Sequence, residues 1–179
     1  MSPANASENL YYAVWATAWG PMGAAVGPAG LREIVLPHYQ FDQIEELLLW
    51  HHSGSTRDEA HFEAFIRLSR DYFNGRRVDF DSLACDLPPE GTFKGKVLRA
   101  CRSIAYGLTC NYGRLAEQIA RPDSARAVAT ALAKNPLPLV VPCHRVIYAD
   151  GRAGGFSAPG GVELKKRMLQ LERRGGQRS

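Results

Sequence analysis

The sequence has no long apolar run. Its longest apolar stretches are LLLW at 47–50 and LPLVV at 137–141, far short of the ~20 residues with which a helix crosses a bilayer. The N-terminal residues MSPANASENL also lack a basic region followed by an apolar core, so no secretory signal is predicted. We therefore expect no membrane partner and a cytoplasmic location, or a nuclear one if the source is eukaryotic.

Cysteine is scarce, and no two cysteines are spaced as a CxxC pair. The four cysteines are Cys85, Cys101, Cys110 and Cys143. A cytosolic chain of this size does not need disulfides, so free thiols are predicted. The histidines His51, His52 and His61 could be drawn with Cys85 as a metal cluster, but their spacing matches no zinc pattern. We expect no metal and no cofactor.

Lysine is absent from the first 93 residues, and this reflects a charge asymmetry. Residues 1–90 carry six basic and 13 acidic side chains, a net charge of −7, whereas residues 91–179 carry 16 and five, a net charge of +11. Pro88-Pro89 and Gly91 lie where the sign changes. We predict an acidic supporting domain at 1–90 and a basic domain at 91–179. A basic half indicates a polyanionic partner, or else a polarised solvated surface.

The apolar pattern predicts an α+β fold. In the first half, strands at 11–18, 22–26 and 31–36 are separated by Gly-Pro turn signals and predict a small antiparallel β-meander. Helices are predicted at 41–52 and 59–73, the second from an apolar stripe at i, i+3, i+4 spacing that Asn74-Gly75 ends.

The second half is predicted to be mostly helical. One helix follows Phe93, a short helix spans about 112–120, and a third spans 124–134 with Asp123 or Ser124 as its cap. Two helices joined by a few residues resemble a helix-turn-helix, although a purely structural helix pair fits the same pattern. The third helix has almost only small side chains, which allow a close approach to another surface, with Arg126 as a long exception.

The segment NPLPLVVPCHRV at 135–146 carries the most chemistry. Its prolines stiffen the chain around Cys143, and a cysteine nucleophile needs a nearby base or positive charge, which His144 and Arg145 supply. A buried structural cysteine is the alternative. The amphipathic helix at 161–174 brings Glu172 close to its apolar stripe, where a carboxylate needs a partner; that partner is a structural charge or His144.

These segments resemble the O6-alkylguanine-DNA alkyltransferases, also called methylated-DNA–protein-cysteine methyltransferases, whose signature is PCHRV. The resemblance covers nearly all of 91–179, including GTFKGKVLRACRSIAYGLTCNYGRLA, SARAV, NPLPLVVPCHRVI and GGFSAPGG. It implies DNA repair by direct reversal, in which Cys143 accepts the alkyl group of O6-alkylguanine, and possibly of O4-alkylthymine, in one irreversible turnover. By the same resemblance His144 is the base that acts through a water, Glu172 holds its tautomer, and Asn135 orders the turn.

The resemblance also implies how damaged DNA is bound. A monomer binds the minor groove of double-stranded DNA, and the damaged nucleotide is flipped out of the stack. Arg126 fills the vacated space, and Tyr112 helps to extrude the nucleotide and protonates the guanine. The other substrate-binding positions are Val146, Phe156 and Ser157, and the other DNA-binding positions are Ser124, Ala125, Ala127, Thr130 and Lys134.

Two departures and three alternatives accompany this interpretation. Phe156 stands where many members have tyrosine, and the N-terminal Cys and His ligands of the zinc found in some members are missing. A non-catalytic alkyltransferase-like protein would lack the nucleophile that Cys143 supplies. A helix-turn-helix regulator would need a further domain, and a cysteine hydrolase would need an oxyanion hole.

Overall fold

The protein has the predicted α+β architecture. The structure is a computed structural model and describes residues 9–176. The meander consists of β1 (Tyr11–Thr17), β2 (Gly20–Gly27) and β3 (Gly30–Val35), all antiparallel. A short β4 (Thr56–Arg57) lies parallel to the outer edge of β1, giving the order β3-β2-β1-β4. Two residues with no apolar alternation gave no sign of β4 in the sequence.

Both faces of the sheet are buried. Helix α1 (Phe41–His51) covers one face, where Tyr12 and Val14 contact Ile44 and Leu48. Alternate residues of β1 point to the opposite face, and helix α2 (Glu63–Phe73), which follows a 3-10 turn at Glu59–Phe62, packs there. The indole Nε1 of Trp15 donates to Ser69 Oγ over 3.0 Å, which satisfies two buried polar groups.

The second half contains four helices among the residues described: α3 (Phe93–Arg102), α4 (Tyr112–Gln118), α5 (Ala125–Ala133) and α6 (Gly161–Gly175). Helix α4 is shorter than predicted, because Ala120 adopts a left-handed φ of 56° and turns the chain. Ser124, one of the two predicted cap residues, is the N-cap of α5, but its side chain makes no capping hydrogen bond, because a 3-10 turn at Pro122–Ser124 leads straight into the helix. Helices α4 and α5 form the predicted helix pair.

A second small sheet joins two distant parts of this half. Strand β5 (Cys110–Asn111) pairs in parallel with β6 (Val146–Ile147). The sequence analysis missed this sheet, because each strand has only two residues. It places the start of α4 beside the chain that leaves the PCHRV segment.

A backbone hydrogen bond and a continuous core connect the two halves of the chain, since the Ile34 amide donates to Pro136 O over 2.9 Å. Within the first half, the Leu31 amide donates to Ala84 O over 2.9 Å. At Gly30 a Cβ would lie 2.3 Å from the backbone of Ala84, so only glycine permits this approach. One hydrophobic cluster includes residues from both sides of the predicted boundary near residue 90. That boundary stays a prediction.

No helix in residues 9–176 combines the length and the apolar character needed to cross a membrane. Within the same residues, no three His, Cys, Asp or Glu side chains are grouped so that they could hold a metal ion. His51 and His52 instead share the carboxylate of Glu33 at 2.8 Å each, and His61 stacks on Tyr11.

Candidate active site

The PCHRV segment forms a tight turn at the centre of the molecule. Pro142 has φ −80° and ψ 64°, the geometry of an inverse γ-turn, and the Cys143 amide donates to Val141 O over 2.8 Å. A 3-10 turn at Cys143–Arg145 follows. The hydrogen bonds of these two turns therefore curl the chain at Cys143.

Asn135 braces this turn from the end of α5. Its Nδ2 donates to Val141 O over 2.8 Å and to Cys143 Sγ over 3.2 Å. Its Oδ1 accepts from the Leu137 amide over 3.0 Å. One amide side chain thus fixes the backbone before and after Pro138 and also contacts the sulfur.

Leu139 lies within the braced loop and is strained. Its φ is 79°, in the left-handed region that residues other than glycine rarely adopt, and the residue is fully buried. Such a conformation costs on the order of 1–3 kcal/mol and persists only where the surroundings fix it. The prolines and Asn135 supply that constraint.

Cys143 is nearly buried, with 8% of its surface exposed. Burial raises the pKa of its thiol, and the hydrogen bond from Asn135 and the charge of Lys165 act in the opposite direction. Because the net effect on the pKa is a rise, the resting group is the thiol. A nucleophilic role therefore requires a base to remove the proton.

His144 and Glu172 form a buried pair beside Cys143. The distance from His144 Nε2 to Glu172 Oε1 is 2.7 Å. Burial would raise the pKa of Glu172, but the hydrogen bonds and charges of His144 and Arg145 outweigh burial and lower it to about 2. Burial lowers the pKa of His144, against the influence of Glu172.

These directions assign the protons. Ionised Glu172 only accepts hydrogen bonds, so His144 carries its proton on Nε2. The buried Nδ1 has no hydrogen-bond partner among residues 9–176 and is the nitrogen able to take a proton. No direct hydrogen bond joins this imidazole to Cys143 Sγ in the described part of the chain, so contact between them requires a bridging group.

Sequence reasoning missed three other donors to Glu172. Arg145 donates from Nε to Oε2 over 3.0 Å and from Nη2 to Oε1 over 3.1 Å. The Gly107 amide donates to Oε2 over 3.0 Å. Tyr72, on α2 in the first half, donates its hydroxyl to Oε1 over 2.8 Å. Only Arg145 gave a sequence signal, since it lies in the motif itself.

Lys165 is a further residue near Cys143 that was not predicted from the sequence. Its side chain is buried, and Nζ donates to Val146 O over 2.6 Å. The ammonium also lies 5.9 Å from the centre of the Tyr112 ring. Burial lowers its pKa. The amphipathic pattern of α6 indicates which residues face inward. Lys165 follows the buried Leu164 directly, so its position next to the apolar stripe was the available signal.

Two cavities meet at Cys143. One, of about 350 Å³, is lined mainly by apolar groups, namely Tyr112, Ala129, Leu132, Ala133, Cys143, Tyr148, Gly155, Phe156 and Ser157. The other, of about 260 Å³, lies between β3 with its following turn and the loops around Pro138 and Ala158. The larger volume is within the ~300–1,000 Å³ typical of small-molecule sites. Tyr112, Phe156 and Ser157 thus gather at one cavity with Cys143.

The β5–β6 sheet holds Tyr112 over this cavity. Cys110 pairs with Val146, so Tyr112 begins α4 directly beside the turn at Cys143. Gly154 has φ 72°, and a Cβ there would lie 3.1 Å from the Tyr112 hydroxyl. The missing side chain therefore leaves room for the phenol. Burial raises the pKa of Tyr112 to about 12, so its hydroxyl stays protonated.

Helix α5 borders the cavity and also faces solvent. Val128, Ala131 and Leu132 are buried against the core, whereas Ala129 and Ala133 line the cavity. Its solvent-exposed positions and those next to it in the chain are mostly small or basic: Arg126, Ala127, Thr130, Ala133 and Lys134. Ser124 and Ala125 are half-buried at its start. Of the predicted positions, Val146 is fully buried and presents its carbonyl.

Comparisons with known proteins agree on one family. The family model described as "6-O-methylguanine DNA methyltransferase, DNA binding domain" matches residues 92–174. The methylated-DNA–protein-cysteine methyltransferase of Methanosarcina acetivorans is 35% identical over 91% of this chain and 98% of that protein. The enzyme of the same name from Mycolicibacterium paratuberculosis is 42% identical over 68% of this chain and 72% of that protein.

A solved structure supports the same assignment. Mycobacterium tuberculosis OGT in complex with DNA superposes with a TM-score of 0.76 at 31% identity, covering 92% of this chain and 94% of that chain. The relatives therefore share the first half of the fold as well as the PCHRV half. The chain belongs to the methylated-DNA–protein-cysteine methyltransferase family.

Proposed function

We propose that the protein repairs DNA by transferring the alkyl group of O6-alkylguanine to Cys143, once per molecule. The observation that carries the proposal is the position of Cys143. Its sulfur contacts Asn135, and the residue lines a cavity of about 350 Å³. The next residue in the chain, His144, is paired with Glu172. An accessible cavity, a nucleophile and an oriented base are the elements of nucleophilic catalysis.

The transfer balances as follows. His144 Nδ1 takes the thiol proton of Cys143 through a water, and Glu172 stabilises the imidazolium through Nε2. The thiolate attacks the first carbon of the alkyl group, so an S–C bond forms and the C–O6 bond breaks with its electron pair on guanine. Tyr112 protonates the guanine ring and regains a proton from solvent, and His144 releases the former thiol proton to solvent. The thioether is not cleaved, so no turnover follows.

Groups that line the larger cavity, together with the carbonyl of the buried Val146 next to the 3-10 turn, recognise guanine. The carbonyls of Cys143 and Val146 accept from the exocyclic amine, and the Ser157 amide donates to O6. Val146 O already accepts from Lys165 over 2.6 Å, but a carbonyl has two lone pairs and can accept twice. Phe156 contributes the packing surface of its ring.

A monomer binds the DNA, and the exposed face of α5 contacts the minor groove. The small side chains of Ala127 and Thr130 allow close approach, and Ser124 and Ala125 flank them. Arg126 occupies the space that the flipped nucleotide leaves. Lys134 and the net charge of +11 of residues 91–179 supply phosphate contacts that do not depend on sequence.

The decisive experiment is incubation with duplex DNA that contains O6-methylguanine, followed by peptide mass mapping. We expect the peptide containing Cys143 to gain about 14 Da, the mass of a methyl group replacing hydrogen, at about one equivalent per chain. Cys143→Ser should bind the same DNA and remain unmodified, while Cys110→Ser, the matched control, should react normally. Demethylation by Cys143→Ser, or a methyl group on another residue, would refute the proposal.

A further inference from the structure

Tyr72 is a buried titratable residue that the proposed reaction does not use. It lies on α2 in the acidic half of the chain, fully buried. Its hydroxyl donates to Glu172 Oε1 over 2.8 Å and lies 3.4 Å from His144 Nε2. Its ring packs edge-on against Tyr106 and His144. The contact therefore joins the first half of the chain directly to the pair beside Cys143.

The direction of this hydrogen bond is fixed by chemistry. Burial, followed by the charge and hydrogen bond of Glu172, raises the pKa of Tyr72 well above its ordinary value. The phenol therefore stays protonated, and Glu172, with a pKa of about 2, stays ionised. In the bond between them, Tyr72 can only donate and Glu172 Oε1 can only accept.

Glu172 Oε1 divides its accepting capacity among three side chains. It accepts from His144 over 2.7 Å, from Tyr72 over 2.8 Å and from Arg145 over 3.1 Å. Each additional donor withdraws negative charge from this oxygen and weakens its hold on the His144 proton. The basicity of His144 therefore depends on whether the Tyr72 hydroxyl is present.

We propose that Tyr72 is a positioning residue for alkyl transfer, which sets the basicity and orientation of His144 by donating a hydrogen bond to Glu172. The inference rests on the proposed function. It gives α2 a chemical role in addition to packing. Other titratable or charged groups close to the His144–Glu172 pair are Arg145, Lys165 and Tyr106. Substitutions at Tyr72 leave all three in place, and the control alters only Tyr106.

The test is Tyr72→Phe, which keeps the ring and removes the hydroxyl. Without this donor, Glu172 holds the His144 proton more strongly, so the imidazole becomes protonated at higher pH. Losing one hydrogen bond should move the acid limb of the rate–pH profile upward by about 0.3–1 pH unit. The matched control is Tyr106→Phe, because the Tyr106 hydroxyl has no hydrogen-bond partner within residues 9–176. Its profile should coincide with that of the wild type.

Two readouts separate this inference from the proposed function. One is methyl transfer from O6-methylguanine DNA, and the other is alkylation of Cys143 by iodoacetamide, followed by peptide mapping without DNA. If the wild type accepts no methyl group but the iodoacetamide profile of Tyr72→Phe is shifted, the proposed function fails and the role of Tyr72 stands. If methyl transfer occurs and both profiles of Tyr72→Phe match the wild type, Tyr72 is only structural.

A substitution of opposite sign covers the case in which Tyr72→Phe does not fold. Fluorotyrosine placed at position 72 keeps the hydroxyl and makes it a stronger donor, so the acid limb should move to lower pH. A ¹⁵N titration of the His144 ring should move in the same direction as the rate profile. An unmoved His144 titration in the fluorinated protein would overturn the proposal.

Discussion

At the scale of single residues, the site depends on one carboxylate that serves several donors. Glu172 is 1% exposed and binds His144, Arg145, Tyr72 and the Gly107 amide. The sequence could predict Cys143, His144 and Glu172 as a group. The PCHRV motif contains the first two, and the pattern of the amphipathic helix places Glu172 next to its apolar stripe. It could not predict Tyr72, since the contact spans 100 positions and no local pattern reports such a separation.

Acid should destabilise the protein in two steps. The pKa values of His144 and Glu172 are both lower in the folded protein than their ordinary values of 6.5 and 4.5. The unfolded chain therefore binds more protons in both ranges, and the stabilisation present above each ordinary value is lost as the pH falls through the folded value. Urea unfolding from pH 8 to pH 3 should show stability declining first below about 6.5 and then below about 4.5.

Glu172→Gln should remove the second step and cost much of the stability. Glutamine leaves the buried guanidinium of Arg145 without its counter-charge, a loss of about 3–5 kcal/mol. Urea unfolding at pH 7.5 measures this loss directly. Glu163→Gln, an exposed position on the same helix, is the control and should stay within about 0.5 kcal/mol of the wild type. Equal stabilities of the two variants would contradict the described network.

Lys165→Met should slow alkyl transfer without unfolding the protein. The substitution keeps the volume but removes the positive charge that lowers the pKa of Cys143. The thiol should therefore ionise at higher pH, and transfer at neutral pH should fall several-fold. Iodoacetamide kinetics at Cys143 across pH measure the effect. Lys166→Met, whose ammonium pairs with Glu163 on the surface, should react like the wild type.

At the scale of elements, local periodicity carried most of the information. The meander and the helices α1, α2, α3, α5 and α6 follow apolar spacings visible in the sequence, and their observed bounds are within a few residues of the predicted ones. The two-residue strands β4, β5 and β6 were invisible, because pairing of so few residues depends on tertiary contacts. The turn at Cys143 was expected only from the family resemblance, since proline by itself indicates no more than the absence of a regular helix.

Helix α5 should be needed for duplex DNA but not for the chemistry. Arg126→Ala leaves the cavity residues Ala129 and Ala133 unchanged, and it removes the side chain that we propose replaces the flipped nucleotide. Repair of O6-methylguanine in duplex DNA should fall at least tenfold more than reaction with free O6-benzylguanine. Comparing the two rates gives the measurement, and Arg121→Ala, on an exposed neighbouring turn, is the control. Equal losses on both substrates would exclude this role.

At the scale of the whole molecule, reaction and stability are coupled through Cys143. The cavities leave room for a methyl group at the sulfur, so overpacking is not expected. The methyl group instead displaces the hydrogen bond from Asn135 Nδ2 to Sγ, at a cost of about 0.5–1.5 kcal/mol. The methylated protein should melt about 1–6 °C lower than the free form, as measured by calorimetry. An unchanged melting temperature would show that the Asn135 contact adds no stability.

The buried Tyr72–Glu172 contact limits how far the protein can be miniaturised. A fragment that begins at residue 91 would keep the cysteine, the imidazole and the DNA-facing helix, yet it would omit the phenol that Glu172 binds and the strand that anchors Pro136. A shortened chain must therefore retain α2 and β3 or contain substitutes for them. The acidic half therefore contributes directly to the structure around Cys143.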